Sequence, residues 1–141
     1  MAGGIEAIAA SISADLVRRL PRRNKKQREG LSLLVATMLD VRSANLMDLS
    51  ASLPREAERI DMRHQWISQR LGNELIDTDA VMAPFAAEVL GRASAGGQRL
   101  VVIIDQTQAN DTQQAVVVAV RVAGRSLPIA SWRSHAPHGR A

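Results

Sequence analysis

A chain of 141 residues, 46% of them apolar, is long enough for one ordinary domain and too apolar to stay disordered. Cysteine is absent, which excludes disulfides, thiolate zinc sites and cysteine nucleophiles together, and the net charge of +4 leaves an anionic partner open. No apolar run approaches the roughly 18 to 20 residues of a membrane-crossing helix. The opening MAGGIEAIAASISADL lacks a basic leader and carries Glu6 and Asp15, so it reads as no signal peptide; a cytoplasmic protein that meets no membrane is the default expectation.

Residues 1–95 read as helical. Ile5, Ile8, Ala9, Ile12, Leu16 and Leu20 recur at three- and four-residue steps and put one apolar stripe on a helix that Pro21 ends. A second helix is predicted from Asn24 to Leu39, with Leu31, Leu33, Leu34 and Met38 buried. Ser43 is the expected N-cap of a short helix, Ala44 to Leu53, which Pro54 breaks. A longer helix follows from Ala57 to Ile76, weakened at Gly72 and Asn73. Asp79 is the expected cap of a last helix to Ala93, with Pro84 interrupting its first turn or marking its true start. Short helices joined by tight turns suit a helix-turn-helix-like DNA module, and equally many plain helical bundles.

Between Arg18 and Arg28 lie seven cations and no acid: Arg18, Arg19, Arg22, Arg23, Lys25, Lys26 and Arg28. Such a run attracts a polyanion by Coulomb forces and by release of condensed counterions; a solvated helix end has the same composition. It holds too few bulky apolar residues for membrane docking.

The character changes at Ser94-Ala95-Gly96-Gly97. Leu100 to Ile104 is a continuous β-branched run, predicted as a central strand buried on both faces and ending at Asp105. Ala109 to Thr112 is rich in turn formers, Gln114 to Val122 reads as a second strand, Ala123-Gly124-Arg125 as a turn, and Ser126 to Trp132 as a third strand. Pro128 places the third strand at an edge, or turns its missing N–H away from any neighbour. Residues 98–133 are thus an antiparallel meander, 134–141 a disordered tail, and the fold class is α+β.

Asp105 is the residue singled out for chemistry: a carboxylate at the end of an apolar strand is rigidly held, and burial there needs a compensating cation. The competing reading is a turn-initiating Asp that accepts N–H bonds from Thr107 or Gln108. Asp111 suits the hairpin turn better than a shared ion site. His64, His135 and His138 have no zinc-ligand spacing, Lys25 and Lys26 lie in no phosphate-binding glycine loop, and Trp66 and Trp132 are expected in the core. Without tyrosine, and with a single phenylalanine, base stacking is a poor basis for binding single strands or RNA.

Three segments carry a resemblance. RSANLMDLSASLPREAERIDMRHQWISQRLGNELI (Arg42 to Ile76) and VMAPFAAEVLGRA (Val81 to Ala93) resemble the N-terminal region of DDE transposases of the fourth insertion-sequence family. VVIIDQTQANDTQQAVVVAVRVAGRSLPIASW (Val101 to Trp132) resembles the opening of that family's catalytic domain. The likeness spans roughly Ala14 to Trp132. It implies that the meander is the incomplete start of a ribonuclease H-like fold and that Asp105 is the first acid of the triad, a catalytic ligand of Mg²⁺ or Mn²⁺. In the family, two such ions activate a water or 3′-hydroxyl for phosphoryl transfer on DNA. It further implies that the helices bind double-stranded DNA at transposon inverted repeats, with Arg55, Arg59, Arg63 and Arg70 joining the basic run as candidate contacts.

The second Asp and the Glu of that triad are not in this sequence, and SHAPHGRA does not resemble a continuing domain. The expectation is a truncated transposase that binds DNA without cutting it. A helical transcription regulator and a remnant with no function are the alternatives. An open strand edge makes self-association, or pairing with an intact transposase, a further expectation.

Overall fold

Leu20 closes the last turn of the first helix by donating its N–H to Leu16 O at 2.7 Å, and Pro21 follows where no further turn can form. Similar punctuation recurs in the computed structural model, which describes residues 3–55 and 58–135: the side chains of Asn24, Asn45 and Asp77 cap three of the helices that follow. The elements are α1 (Gly3–Arg19), α2 (Lys25–Val41), α3 (Leu46–Ser52), α4 (Ile60–Leu71) and α5 (Thr78–Ala93). A single 3₁₀ turn (Ala95–Gly97) then leads to β1 (Val102–Asn110), β2 (Gln113–Val122) and β3 (Arg125–His135). The fold is α+β, five helices followed by a three-stranded antiparallel sheet in the order β1-β2-β3. No described helix is long and apolar enough to cross a membrane.

The chain divides into two compact units, 1–76 and 77–141. The last helix of the segment read as one helical region therefore belongs with the strands.

In the first unit α1 packs against α2, with Ile5 and Leu16 of α1 and Leu20 just past its end buried. Asn24 caps α2, its side chain accepting from Gln27 N at 2.8 Å. The core joins α2, α3 and α4 through Leu34, Leu49, Leu53 and Ile67, with Leu33, Met38, Leu46 and Trp66 packed around them. Only Leu34 of the four expected core residues of α2 is fully buried. The other buried positions of the helix are small: Gly30, Ser32, Ala36 and Thr37. Small side chains let helix backbones approach closely. Both buried hydroxyls are satisfied within the helix, Ser32 donating to Arg28 O and Thr37 to Leu33 O.

Two expected caps move, and one helix is shorter than expected. Asn45, not Ser43, caps α3, its side chain accepting from Met47 N at 2.9 Å; Ser43 braces the turn by accepting from Asn45 N and donating to Asp48. α4 is shorter at both ends than Ala57 to Ile76, starting after Arg59 and stopping at Gly72. Asp77, two residues before the expected cap, accepts from Asp79 N and Ala80 N and so starts α5 at Thr78. Pro84 lies in the interior of that helix, which continues to Ala93 despite the hydrogen bond its ring removes.

In the second unit β1 pairs with β2 from Val102↔Val120 to Asn110↔Gln113, and β2 with β3 from Gln113↔His135 to Val122↔Arg125. Ala123 (φ 48°) and Gly124 (φ 77°) form the two-residue turn between β2 and β3, a backbone that matches the twist of a tight hairpin. Ile129 is bulged, because Val118 pairs with Ala130 while Ala119 pairs with Pro128. α5 contacts β3 and borders an open cleft of about 570 Å³ against Val116, Val118 and Trp132.

β1 departs from the expected central strand buried on both faces. It is an edge strand, exposed along its whole length, because β2 pairs with it on one side and no described strand lies on the other. Apolar composition alone does not separate a buried strand from an unpaired edge. Trp132, expected in the core, is 73% exposed. Of the tail expected to be disordered, residues 136–141 lie outside the described residues.

Candidate nucleic-acid interface and the Asp105 strand

The basic run falls at the corner between α1 and α2, and the corner divides its members by role. Arg18 and Arg19 both clamp Asp15, each at 2.6 Å; their hydrogen bonds hold the Asp15 carboxyl below its ordinary pKa. Arg23 donates to Leu75 O, tying the corner to the segment that leaves α4. Arg28 donates to Arg23 O and to Leu20 O, which also accepts from Arg23 N, and so braces the turn where Pro21 interrupts the helix. Lys25 makes a loose 3.7 Å pair with Glu29 and stays 83% exposed. Arg22 and Lys26 are exposed and, among the described residues, have no acidic partner. The cations free to meet a phosphate are therefore Arg22, Lys25 and Lys26, with Arg18 on their flank.

The four later arginines divide more sharply. Arg55 forms a two-pronged pair with Glu58, which holds the Glu58 carboxyl below its ordinary pKa and raises that of Arg55. Its guanidinium carbon also lies 5.1 Å from the Trp66 ring centroid. Arg70 approaches the same ring at 5.0 Å. Arg63 donates to Ala51 O and Leu53 O, the carbonyls at the end of α3. All three brace α4 against its neighbours. Arg59, just before α4, is 83% exposed and, among the described residues, pairs with Asp61 two positions on.

Sequence reasoning passed over the outer face of α4, where Gln65, Ser68 and Gln69 are exposed. Helical spacing was the available signal: Gln65 and Gln69 are four apart, so they share a face. Side-chain amides at such positions can pair with adenine edges in a major groove.

Asp105 is exposed and sits in the middle of β1, opposite Val117, not at the strand's end. The strand runs on to Asn110, and the turn follows at Asp111 and Thr112, where the Asn110 side chain accepts from Thr112 N at 3.0 Å. Asp105 thus starts no turn and suffers no burial. By strand alternation its face is that of Ile103, Thr107, Val117 and Ser131. Among the described residues, no three His, Cys, Asp or Glu gather closely enough to hold a metal ion. A lone exposed carboxylate does not fit a two-ion centre, and no catalytic step follows from it. His64 is half-buried on α4; His138 and the side chain of His135 lie outside the described residues.

No family model, curated protein or solved structure matches this chain.

Proposed function

We propose that the chain is the DNA-binding front end of a DDE transposase, carrying the first strands of its catalytic domain and binding duplex DNA without cutting it. The observation that carries the reading is the α1–α2 corner: Arg22, Lys25 and Lys26 stand exposed together where the neighbouring arginines are committed to holding the turn. The resemblance of Arg42 to Ile76 and of Val101 to Trp132 supplies the class, and duplex phosphate is the polyanion that a compact cationic corner suits. Arg59, Gln65 and Gln69 are the candidates for base edges. A chain with Asp105 alone leaves most of the charge of two divalent ions uncompensated, so cleavage needs acids from elsewhere.

The test is binding to a duplex selected from a random library against unselected duplex, titrated from about 50 to about 200 mM salt. A preference of about 10³ or more for the selected site supports a transposon-end binder. A steep salt slope with no preference reduces the chain to an unspecific cation, and the proposal fails. In parallel, Mg²⁺ or Mn²⁺ cleavage by the chain alone that vanishes in Asp105→Ala would overturn the absence of catalysis.

A further inference from the structure

β1 has one partner. Arg121 N donates to Val101 O at 3.0 Å, which fixes the alternation along the strand. The N–H and C=O of Val101, Ile103 and Asp105 point at β2, and those of Val102, Ile104 and Gln106 point outward, unpaired. The two edges of this sheet differ. On β3, the same alternation turns Pro128 outward beside the Ile129 bulge, so that edge offers neither a regular donor row nor a flat line. On β1, no proline, lysine or bulge interrupts the run before the register shift at Ala109. Its apolar side chains are open: Val102 is 52% and Ile104 72% exposed.

We infer that β1 is a docking edge for β1 of a second copy, paired antiparallel about a two-fold axis through Val102. Val102 to Asp105 of β1, together with Arg99-Leu100-Val101 just ahead of it, complement themselves when reversed, with those three residues extending the strand in the dimer. With Val102 facing its symmetry mate, Val101 faces Ile103, Leu100 faces Ile104, and Arg99 faces Asp105, twice over. The outward groups of Val102 and Ile104 fall on hydrogen-bonding positions in this register. Arg99 and Asp105 fall on the intervening positions, where side chains stand closest. Both are exposed, and neither makes an ion pair among the described residues. Registers centred one residue later on Ile103, or two later on Ile104, set Asp105 against Val101 or Ile103 and lose both charge pairs. The blunted β3 edge stops the assembly at two copies. This interface is independent of the DNA-binding reading, since it needs neither the basic corner nor any nucleic acid.

Sedimentation velocity of the full chain, without DNA and over rising concentration, tests it. The wild type sediments as a dimer that dissociates on dilution. Arg99→Asp and Asp105→Arg each put like charges opposite one another at both ends of the ladder and weaken the dimer about tenfold or more. The double variant restores opposite charges and returns the affinity to within about threefold of wild type. Val102→Lys, which sets two ammonium groups face to face at an already exposed position, abolishes the dimer while circular dichroism stays unchanged. A chain that remains monomeric to about 1 mM overturns the inference. So does a dimer indifferent to the single reversals, or a double variant no better than either single.

Discussion

Arg70 lays its guanidinium carbon 5.0 Å from the centroid of the Trp66 ring, one turn back along α4, and its Nε is 3.3 Å from where a Cβ on Gly30 of α2 would stand. Arg55 reaches the same ring from the loop before α4. The aromatic thus joins three segments through one half-buried side chain. Trp66→Ala should cost about 2 to 3 kcal/mol of stability in the helical unit, below the range for fully buried tryptophans because part of the ring is already wet. Arg70→Ala should cost about 1 kcal/mol through lost stacking, with little change in the salt dependence of DNA binding. Urea unfolding followed by circular dichroism measures both; a neutral Trp66→Ala would show that the ring is no keystone.

Arg22 and Lys26 predict the opposite profile. Neither supports the fold, so Arg22→Ala and Lys26→Ala should leave the melting temperature unchanged. Each should lower the slope of log affinity against log salt by about 0.9, the loss of one phosphate contact. Fluorescence anisotropy on a fixed duplex gives the slope. Equal slopes for wild type and the double variant would remove the corner from the interface.

Acid should loosen the helical unit. Asp15 is held below its ordinary pKa by hydrogen bonds from Arg18 and Arg19, and Glu58 by its bonds from Arg55. A carboxyl depressed in the folded state contributes stability that is fully present above its unfolded pKa and is lost as pH falls through the folded value. The melting temperature should therefore hold at neutral pH and fall on acidification from about pH 5 to about pH 2. Glu58→Gln should flatten part of that fall while lowering the neutral plateau. An acid limb unchanged in Glu58→Gln would assign the pH dependence to other groups. Both carboxylates are partly covered but still reach solvent, Asp15 with 35% and Glu58 with 24% of the side chain exposed, so the effect is modest and weakens with salt.

The sequence revealed order and class better than burial. Pro21 and the Ala123-Gly124 pair punctuate the chain where a reading of turn chemistry puts them, and Pro128 lies on an edge strand as its missing N–H requires; Gly72, expected only to weaken its helix, ends it. What failed was the inference from apolar run to buried strand. Val101 to Ile104 has the composition of a sheet centre, yet which strands pair with it is a long-range fact that a local run does not contain. The caps shifted for a related reason: Ser43 and Asn45, like Asp77 and Asp79, are both competent, and packing one or two residues away decides between them. At the candidate interface, the charge of the basic run was legible and its division of labour was not. Whether Arg28 meets a phosphate or Leu20 O depends on the path of the chain around Pro21.

The β2–β3 turn offers the sharpest test of backbone strain. Ala123 takes φ 48° and Gly124 φ 77°, both left-handed, so the turn needs two residues that tolerate this region and has only one suited to it. A Cβ in that region costs an alanine about 1 kcal/mol, whereas asparagine is tolerated there and is favoured before glycine in such hairpins. Ala123→Asn should stabilise the second unit by about 0.5 to 1 kcal/mol, and Gly124→Val should destabilise it by more than that, because a β-branched residue is worst placed at positive φ. Nothing lies within 4 Å of a Cβ built on Gly124, so the penalty would come from the backbone and not from a clash. Amide exchange at Val120 and Val122 reads the effect locally: slower in Ala123→Asn, faster in Gly124→Val. Slower exchange in both would mean that the strands, not the turn, set the stability of this hairpin.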